Sequence, residues 1–364
     1  MLSRIITRMF PLLRVSAALA FCLPSSAAPL RIGAWVGGEG TYPQPTEANV
    51  AAFETLQGRP LDLLSLFVLW DTDDWAWTRT YADVADRRGA RLVVTWMPNG
   101  YPAPRILSGA ADVYLRRYAR DVKAYGKEVW LRPLHEANGD WYDWGIAKAG
   151  AGNTSQNLIE AWRHIVSIFR DEGVANVKWV WTTNATNSGS ATFTGHYPGD
   201  AWVDMISIDG YNWGTAQTWS RWQSFEEVFG PAYAALAAID RPLFIPEFSS
   251  SERGGDKAAW IREMFAALPV KFPRIFALMW FNQSKSAEAD WAANTSAGAA
   301  AAWKEAVSAA TAIPAIKAPA RSRAPGGILR APPGILAYRG LDKEGPMFLY
   351  RPDGIFLGSR SLPE

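Results

Sequence analysis

The sequence predicts a parallel (β/α)8 barrel, the TIM-barrel class, followed by a short Pro-rich C-terminal extension. Three observations predict it. Short apolar runs alternate with longer amphipathic ones eight times between Leu30 and Ala309. The apolar runs are continuous, as strands buried on both faces require. Polar and ionisable residues gather just after those runs, at the strand ends where this class keeps its chemistry. The competing architecture is an open doubly wound sheet. It asks for a glycine-rich phosphate fingerprint after the first strand, and Gly37-Gly38-Glu39-Gly40 lacks the spacing.

The elements follow in order. The first strand is Leu30 to Val36, and the next helix has Thr46 as its N-cap with Val50, Phe53 and Leu56 on one face. Leu61 to Trp70 is the second strand, and Trp77 to Arg88 its helix. The third strand, Arg91 to Trp96, is halted by Pro98-Asn99-Gly100; a helix then runs from Ala111 to Tyr125 and stops at Gly126. The fourth strand starts at Val129. Thr154 or Ser155 caps the following helix, where Leu158, Trp162, Ile165, Val166 and Phe169 fall at helical spacing. Val177 to Trp181 and Asp204 to Ile208 are strands five and six. Ser224 and Glu227 form a capping box for the sixth helix. Pro242 to Ile245 is strand seven, Asp256 to Leu268 its helix, Ile275 to Phe281 strand eight, and Ala287 to Ala309 the last helix.

The barrel is assigned residues 29–312. Before it, residues 1–28 read as an export signal. Arg4, Arg8 and Arg14 precede the apolar run Val15 to Leu23, and Ser25-Ser26-Ala27-Ala28 offers small residues for cleavage. The run is too short to span a bilayer, so no stable membrane span is expected. The single cysteine, Cys22, lies within this segment, which leaves the mature chain without a disulfide or a Cys-based metal site. Phe21 is too bulky for a lipoprotein box at that cysteine. Residues 313–364 read as a linker, rich in Pro, Ala, Arg and Gly, and then a small β-hairpin suggested by Pro352-Asp353-Gly354.

With 364 residues, a net charge of +2 and 49% hydrophobic residues, the chain is long enough for one large domain and an appendage, and a monomer is expected. The balanced charge excludes nucleic acid as a partner. The 19 Trp residues have two readings: core packing, or a surface whose flat rings stack on the C–H faces of sugars.

Position decides between them. The strand ends deliver Trp35, Trp70 with Asp71, Trp96, then His135, Glu136 and Trp141, then Trp181 and Asn184. Asp209, Tyr211 and Trp213 follow, then Glu247, and last Trp280 and Asn282. Two carboxylates among indoles suggest glycoside hydrolysis, in which one carboxyl gives a proton and the other attacks or activates water. A zinc-binding HExxH helix is excluded, because Gly139 stands where the second His belongs. With only His135, His164 and His196, neither a metal nor a cofactor is expected; His164 reads as structural.

The stretches Arg132-Pro133-Leu134-His135-Glu136-Ala137-Asn138-Gly139-Asp140-Trp141, Asp209-Gly210-Tyr211-Asn212-Trp213, Pro246-Glu247-Phe248 and Met279-Trp280 together resemble glycoside hydrolase family 26. The resemblance runs from about Arg31 to Ala310. It implies that Glu136 is the general acid/base and Glu247 the nucleophile of a retaining hydrolase. The two carboxyl groups would then lie about 5–5.5 Å apart. It implies that His135 and Trp141 shape the acid/base side, Tyr211 orients Glu247, Asp209 supports the site and Trp280 floors the subsite of the attacked sugar. Trp96 and Trp213 complete the expected sugar-binding set. Most known members cleave β-1,4-mannan, so endo-β-1,4-mannanase comes first and a β-linked polysaccharide is the expected partner. Ala137 stands where Met is common, and Asp140-Trp141-Tyr142 looks like the glucan-active branch. Endo-β-1,3-1,4-glucanase and β-1,3-xylanase are therefore the alternatives, and a non-catalytic glycan-binding or polysaccharide-export barrel is the reading from another class.

Overall fold

The structure is a computed structural model. It describes residues 29–37, 44–285 and 287–310, together with the backbone of three later strands. The expected signal segment and the linker lie outside the described residues.

Eight strands form the barrel: β1 (Arg31–Val36), β2 (Leu63–Leu69), β3 (Arg91–Met97), β4 (Val129–Pro133), β5 (Val177–Asn184), β6 (Met205–Asn212), β7 (Leu243–Ser250) and β8 (Ile275–Asn282). All pair in parallel in sequence order, and β8 closes on β1. Helices α1 (Glu47–Gln57), α2 (Trp75–Arg87), α3 (Ala103–Leu107), α4 (Asp112–Tyr125), α5 (Ser155–Asp171), α6 (Phe225–Ala235), α7 (Lys257–Lys271) and α8 (Ala297–Ala310) cover it. Thr46 and Thr154 cap α1 and α5, and Ser224 with Glu227 closes a capping box on α6. Four expectations needed adjustment. Strands β5, β6 and β7 run several residues further than their apolar runs, because their polar ends still pair. Helix α8 starts at Ala297 rather than Ala287, since residues 287–296 form a loop with Ser284 and Asp290 bridged.

Side-chain alternation along the strands sorts the molecule into two cores. One residue after another from the strand interiors, Leu63, Val93, Trp130, Val180, Met205, Phe244, Ala277 and Met279, plugs the floor of the barrel. On β1 the corresponding position is Gly33. A Cβ there would lie 2.6 Å from the Cβ of Leu63, so only glycine fits the floor. The other core lies between strands and helices. It takes Trp96, Trp179, Trp181 and Trp280, on outward positions of their strands, and Trp70 just past β2 at the same parity. Trp96 packs against Tyr118 of α4 at 4.7 Å and Phe169 of α5 at 5.7 Å. Trp280 packs against Trp303 of α8 at 4.8 Å and Phe248 at 5.1 Å.

Further along the chain, β9 (Leu336–Arg339), β10 (Met347–Tyr350) and β11 (Phe356–Arg360) form a separate antiparallel sheet with β10 in the middle, one strand more than a hairpin. Among the described residues no helix is long and apolar enough to cross a membrane.

Candidate active site

Strand β4 ends at Pro133, and the chain then turns sharply. Leu134 (φ 52°) and Glu136 (φ 55°) both take the left-handed conformation, which costs an L-residue roughly 1–2 kcal/mol. Hydrogen bonds hold the turn. Glu136 N donates to Thr182 O at 3.2 Å, Trp144 Nε1 to His135 O at 2.7 Å, and Ile146 N to Ala137 O at 2.7 Å. Gly139 lies under the ring of Trp141, where a Cβ would meet ring carbons at 2.5 Å. Glycine there lets the indole fold back, so that Trp141 Nε1 donates to Glu136 Oε2 at 2.8 Å.

The other carboxyl oxygen of Glu136 accepts from Asn184 Nδ2 at 2.8 Å. Asn184 cannot present its carbonyl instead, because that oxygen accepts from Thr186 N at 2.8 Å. Buried Asn138 ties the two loops together. Its Nδ2 donates to the carbonyls of Asn184 and Thr186 and to Asn187 Oδ1, and its Oδ1 accepts from Asn184 N. The β4 and β5 loops thus act as one piece behind Glu136.

Glu247 is presented differently. The register of β7 shifts between Ile245 and Phe248, where Pro246 has no N–H to give, and such a bulge re-aims the next side chain. Arg132, fully buried on an inward position of β4, donates to Glu247 Oε2 at 2.8 Å and forms an ion pair with buried Asp209. Its Nη2 also donates to Thr95 Oγ1 at 2.6 Å. Tyr211 Oη donates to Glu247 Oε1 at 2.5 Å.

One buried cation therefore faces three carboxyls. Burial pulls the Arg132 guanidinium down, but Asp209 and Glu247 outweigh it and keep it charged. Burial, then the charge of Glu247, push Glu136 up to about 7, against the bonds from Asn184 and Trp141. Burial also pushes the Asp209 carboxyl up, opposed by Arg132. A pair of carboxyls, one held near neutrality and one bonded to a cation and a phenol, can donate a proton from the first and attack with the second.

Most expected site residues converge here: Glu136, Trp141, Asp209, Tyr211 and Glu247 are linked by the bonds above, and Trp213 packs on Tyr211 at 6.2 Å. Three expectations are corrected. Trp96 points away from the barrel axis, has no exposed surface, and is a packing residue. Trp280 likewise faces the helices and floors no subsite. Its Nε1 donates to Trp291 O at 2.8 Å, and Ser249 Oγ donates to the same carbonyl at 2.6 Å. That pins Trp291, whose ring lies 4.8 Å from Tyr211. His135 is fully buried and packs against Tyr142 (4.7 Å) and Trp144 (5.5 Å), which stack on each other, so it presents no open surface to a ligand. Burial, helped by Arg132, holds its imidazole well below the ordinary histidine value, hence neutral. His164 pairs with Asp112 at 2.7 Å between α5 and α4, and His196 packs at a tilt against Trp181 at 4.7 Å outside the barrel. Among the described residues no group of three or more His, Cys, Asp or Glu is placed to hold a metal.

The reading from sequence missed Arg132, Asn138 and Trp291. Arg132 carried a signal: a charged residue on an inward position of an apolar strand needs buried partners of opposite charge. Trp291 carried none, because nothing local shows that its loop returns to Tyr211.

The family model for glycosyl hydrolase family 26 matches residues 113–309, more than half of the chain. The chain belongs to glycosyl hydrolase family 26. Endoglucanase H of Acetivibrio thermocellus is similar to this family 26 chain, with 50% identity over 287 residues, 78% of the chain. The chain spans only 31% of that relative's length. A mannan endo-1,4-beta-mannosidase of Bacillus subtilis strain 168 is 24% identical over 189 residues, 50% of this chain and 45% of that one. Among solved structures, a Cellulomonas fimi endo-beta-1,4-mannanase double mutant matches with a TM-score of 0.61 at 17% identity, covering 92% of this chain and 89% of that chain. At that identity the likeness shows the shared barrel fold.

Proposed function

We propose that this family 26 chain is a retaining endo-β-glycanase in which Glu136 is the general acid/base and Glu247 the nucleophile. The carrying observation is the opposite setting of the two carboxyls: Glu136 buried with two neutral donors, Glu247 bonded to Arg132 and Tyr211. In the first step a Glu247 oxygen attacks the anomeric carbon. The glycosidic C–O bond breaks, and Glu136 gives its proton to the departing oxygen. The new carboxylate of Glu136 is then met by the N–H groups of Asn184 and Trp141 already in place. In the second step Glu136 takes a proton from water, the water oxygen attacks the same carbon, and the ester to Glu247 breaks. Two inversions give net retention.

A β-1,4-linked backbone is the proposed substrate. Glucan is placed first, because 50% identity ties the chain to Endoglucanase H over most of the barrel. Mannan is the second reading, supported by the mannosidase relatives and by the frequency of that activity in the family. The segment 1–28 supports export of the chain, which a signal-peptidase cleavage product beginning near Pro29 would establish. The function itself is tested with lichenan, glucomannan, galactomannan and β-1,3-xylan, reading reducing ends and the anomer first formed by NMR. The β-anomer is expected first from one of the first two substrates; an α-anomer first, or full activity in Glu247→Ala, refutes the assignment.

A further inference from the structure

Among the described residues five large apolar side chains are exposed: Leu107, Val113, Trp141, Trp219 and Val270. The three aliphatic ones lie on α3, α4 and α7. Both tryptophans stand on loops after strands, on the barrel face that carries Glu136 and Glu247. Trp141 is explained by its bond to Glu136. Trp219, 70% exposed, is not explained by anything above.

Its exposure is built in. The loop 213–223 is fixed to the loops after β7 and β8. Gly214, in the left-handed region at φ 54°, comes so close to Arg253 that a Cβ would lie 1.9 Å from its carbonyl oxygen. Gly255 also lies against the ring of Trp222, where a Cβ would meet ring carbons at 2.3 Å. Thr215 N donates to Arg253 O at 2.8 Å, Gln217 Nε2 to Glu288 O at 2.8 Å, and Ser220 Oγ to Gly214 O at 2.7 Å. A loop tied this closely holds the indole outward, though an apolar ring of this size gains free energy by burial.

The ring is also connected to the site. Tyr211, which donates to Glu247, packs on Trp213 at 6.2 Å and on Trp291 at 4.8 Å. Trp213 in turn packs on Trp219 at 5.1 Å. The aromatic line that starts at Glu247 ends in one open indole face, two ring contacts away. Flat apolar surface beside a cleft for polysaccharide suits the C–H face of a pyranose.

We propose that Trp219 is the stacking platform of a distal subsite, holding a sugar unit of the same β-linked chain that is cut between Glu136 and Glu247. The inference rests on the proposed function for the identity of its ligand. It makes Trp219 a determinant of chain-length preference.

The test uses the full chain with Trp219→Ala and Trp219→Tyr. For β-glucan or β-mannan oligosaccharides, the ratio of kcat/KM for a hexasaccharide over a trisaccharide should fall about tenfold in Trp219→Ala, the effect of losing one aromatic anchor, and largely recover in Trp219→Tyr. The same substitution in the Glu247→Ala background should weaken retardation in native gels containing lichenan or glucomannan. Weakened retardation in a protein that hydrolyses nothing would support the subsite while sinking the enzymatic reading. Active protein with an unchanged ratio and unchanged retardation would overturn the subsite. So would a Trp219→Ala variant that turns a dimer into a monomer with the ratio unmoved, since the ring would then serve a second copy of the chain.

Discussion

The ends of β4 and β7 each present one glutamate, and they do so by opposite means. Glu136 sits on a strained left-handed turn, meets only neutral N–H donors, and is pushed up to about 7 by burial and by Glu247. Glu247 sits at a bulge within a strand, bonded to a guanidinium and a phenol. Chemically identical side chains thus meet different partners: Glu247 is bonded to the Arg132 guanidinium, while Glu136 is bonded only to neutral donors. The lesson is that the division of labour lies in Arg132, Asn184 and Tyr211 as much as in the glutamates.

The largest effect should come from removing the better-held carboxylate. Glu247→Ala is expected to lower kcat by about 10⁴-fold or more, as loss of the proposed covalent nucleophile would. Single-turnover assays on the substrate giving the highest wild-type rate check it. Next is the cation that separates the two regions. Arg132→Met leaves Asp209 and Glu247 without their buried partner and should destabilise the fold by about 3–5 kcal/mol, read from urea unfolding. A loss below about 1 kcal/mol would mean that the two carboxyls do not depend on Arg132.

A subtler test uses linkage. The folded value of Glu136, about 7, lies above its ordinary value of 4.5. Between those two values the folded chain keeps a proton that the unfolded chain has released, so stability falls as pH rises through the window. In Glu136→Gln this term is absent. The stability difference should therefore move in the variant's favour by about 2–3 kcal/mol between pH 5 and pH 8. A difference constant with pH would break the contrast between the two glutamates. The smallest effect concerns the donor that Asn138 orients. Asn184→Ala removes a bond that favours the charged form, so the midpoint of Glu136 should rise above about 7, by roughly half a unit to one unit. The alkaline limb of kcat/KM should move up with it, and NMR of the labelled Glu136 carboxyl reads the same shift without turnover.

The barrel was legible because eight apolar runs and their caps are local signals, and both glutamates come soon after an apolar run. The tryptophans were harder. A Trp at a strand end is inward or outward by one residue of register, and Trp70, Trp96, Trp181 and Trp280 all fall on the outward parity. Parity carried up from Val93 to Thr95 puts Trp96 on the packing side. Trp291 and the Asn138 clamp depend on loops meeting across the barrel mouth, and no short-range pattern records that. The shift of α8 to Ala297 has the same origin, since the Ala-rich run tolerates a helix that loop contacts to Lys257 and Ser249 exclude.

The sorting of the indoles also gives the protein an optical handle. Of 19 Trp residues only Trp141 and Trp219 are exposed, and both stand on the face that carries Glu136 and Glu247. Trp77, Trp202, Trp213 and Trp222 are half-buried and the other thirteen are buried, so iodide reaches Trp141 and Trp219 most readily. A polysaccharide lying across the cleft would shield both from the quencher while leaving the interior emission as it was. Occupancy of the cleft is thereby readable in the unlabelled protein, and single replacements at Trp141 and Trp219 would divide the signal between the two ends.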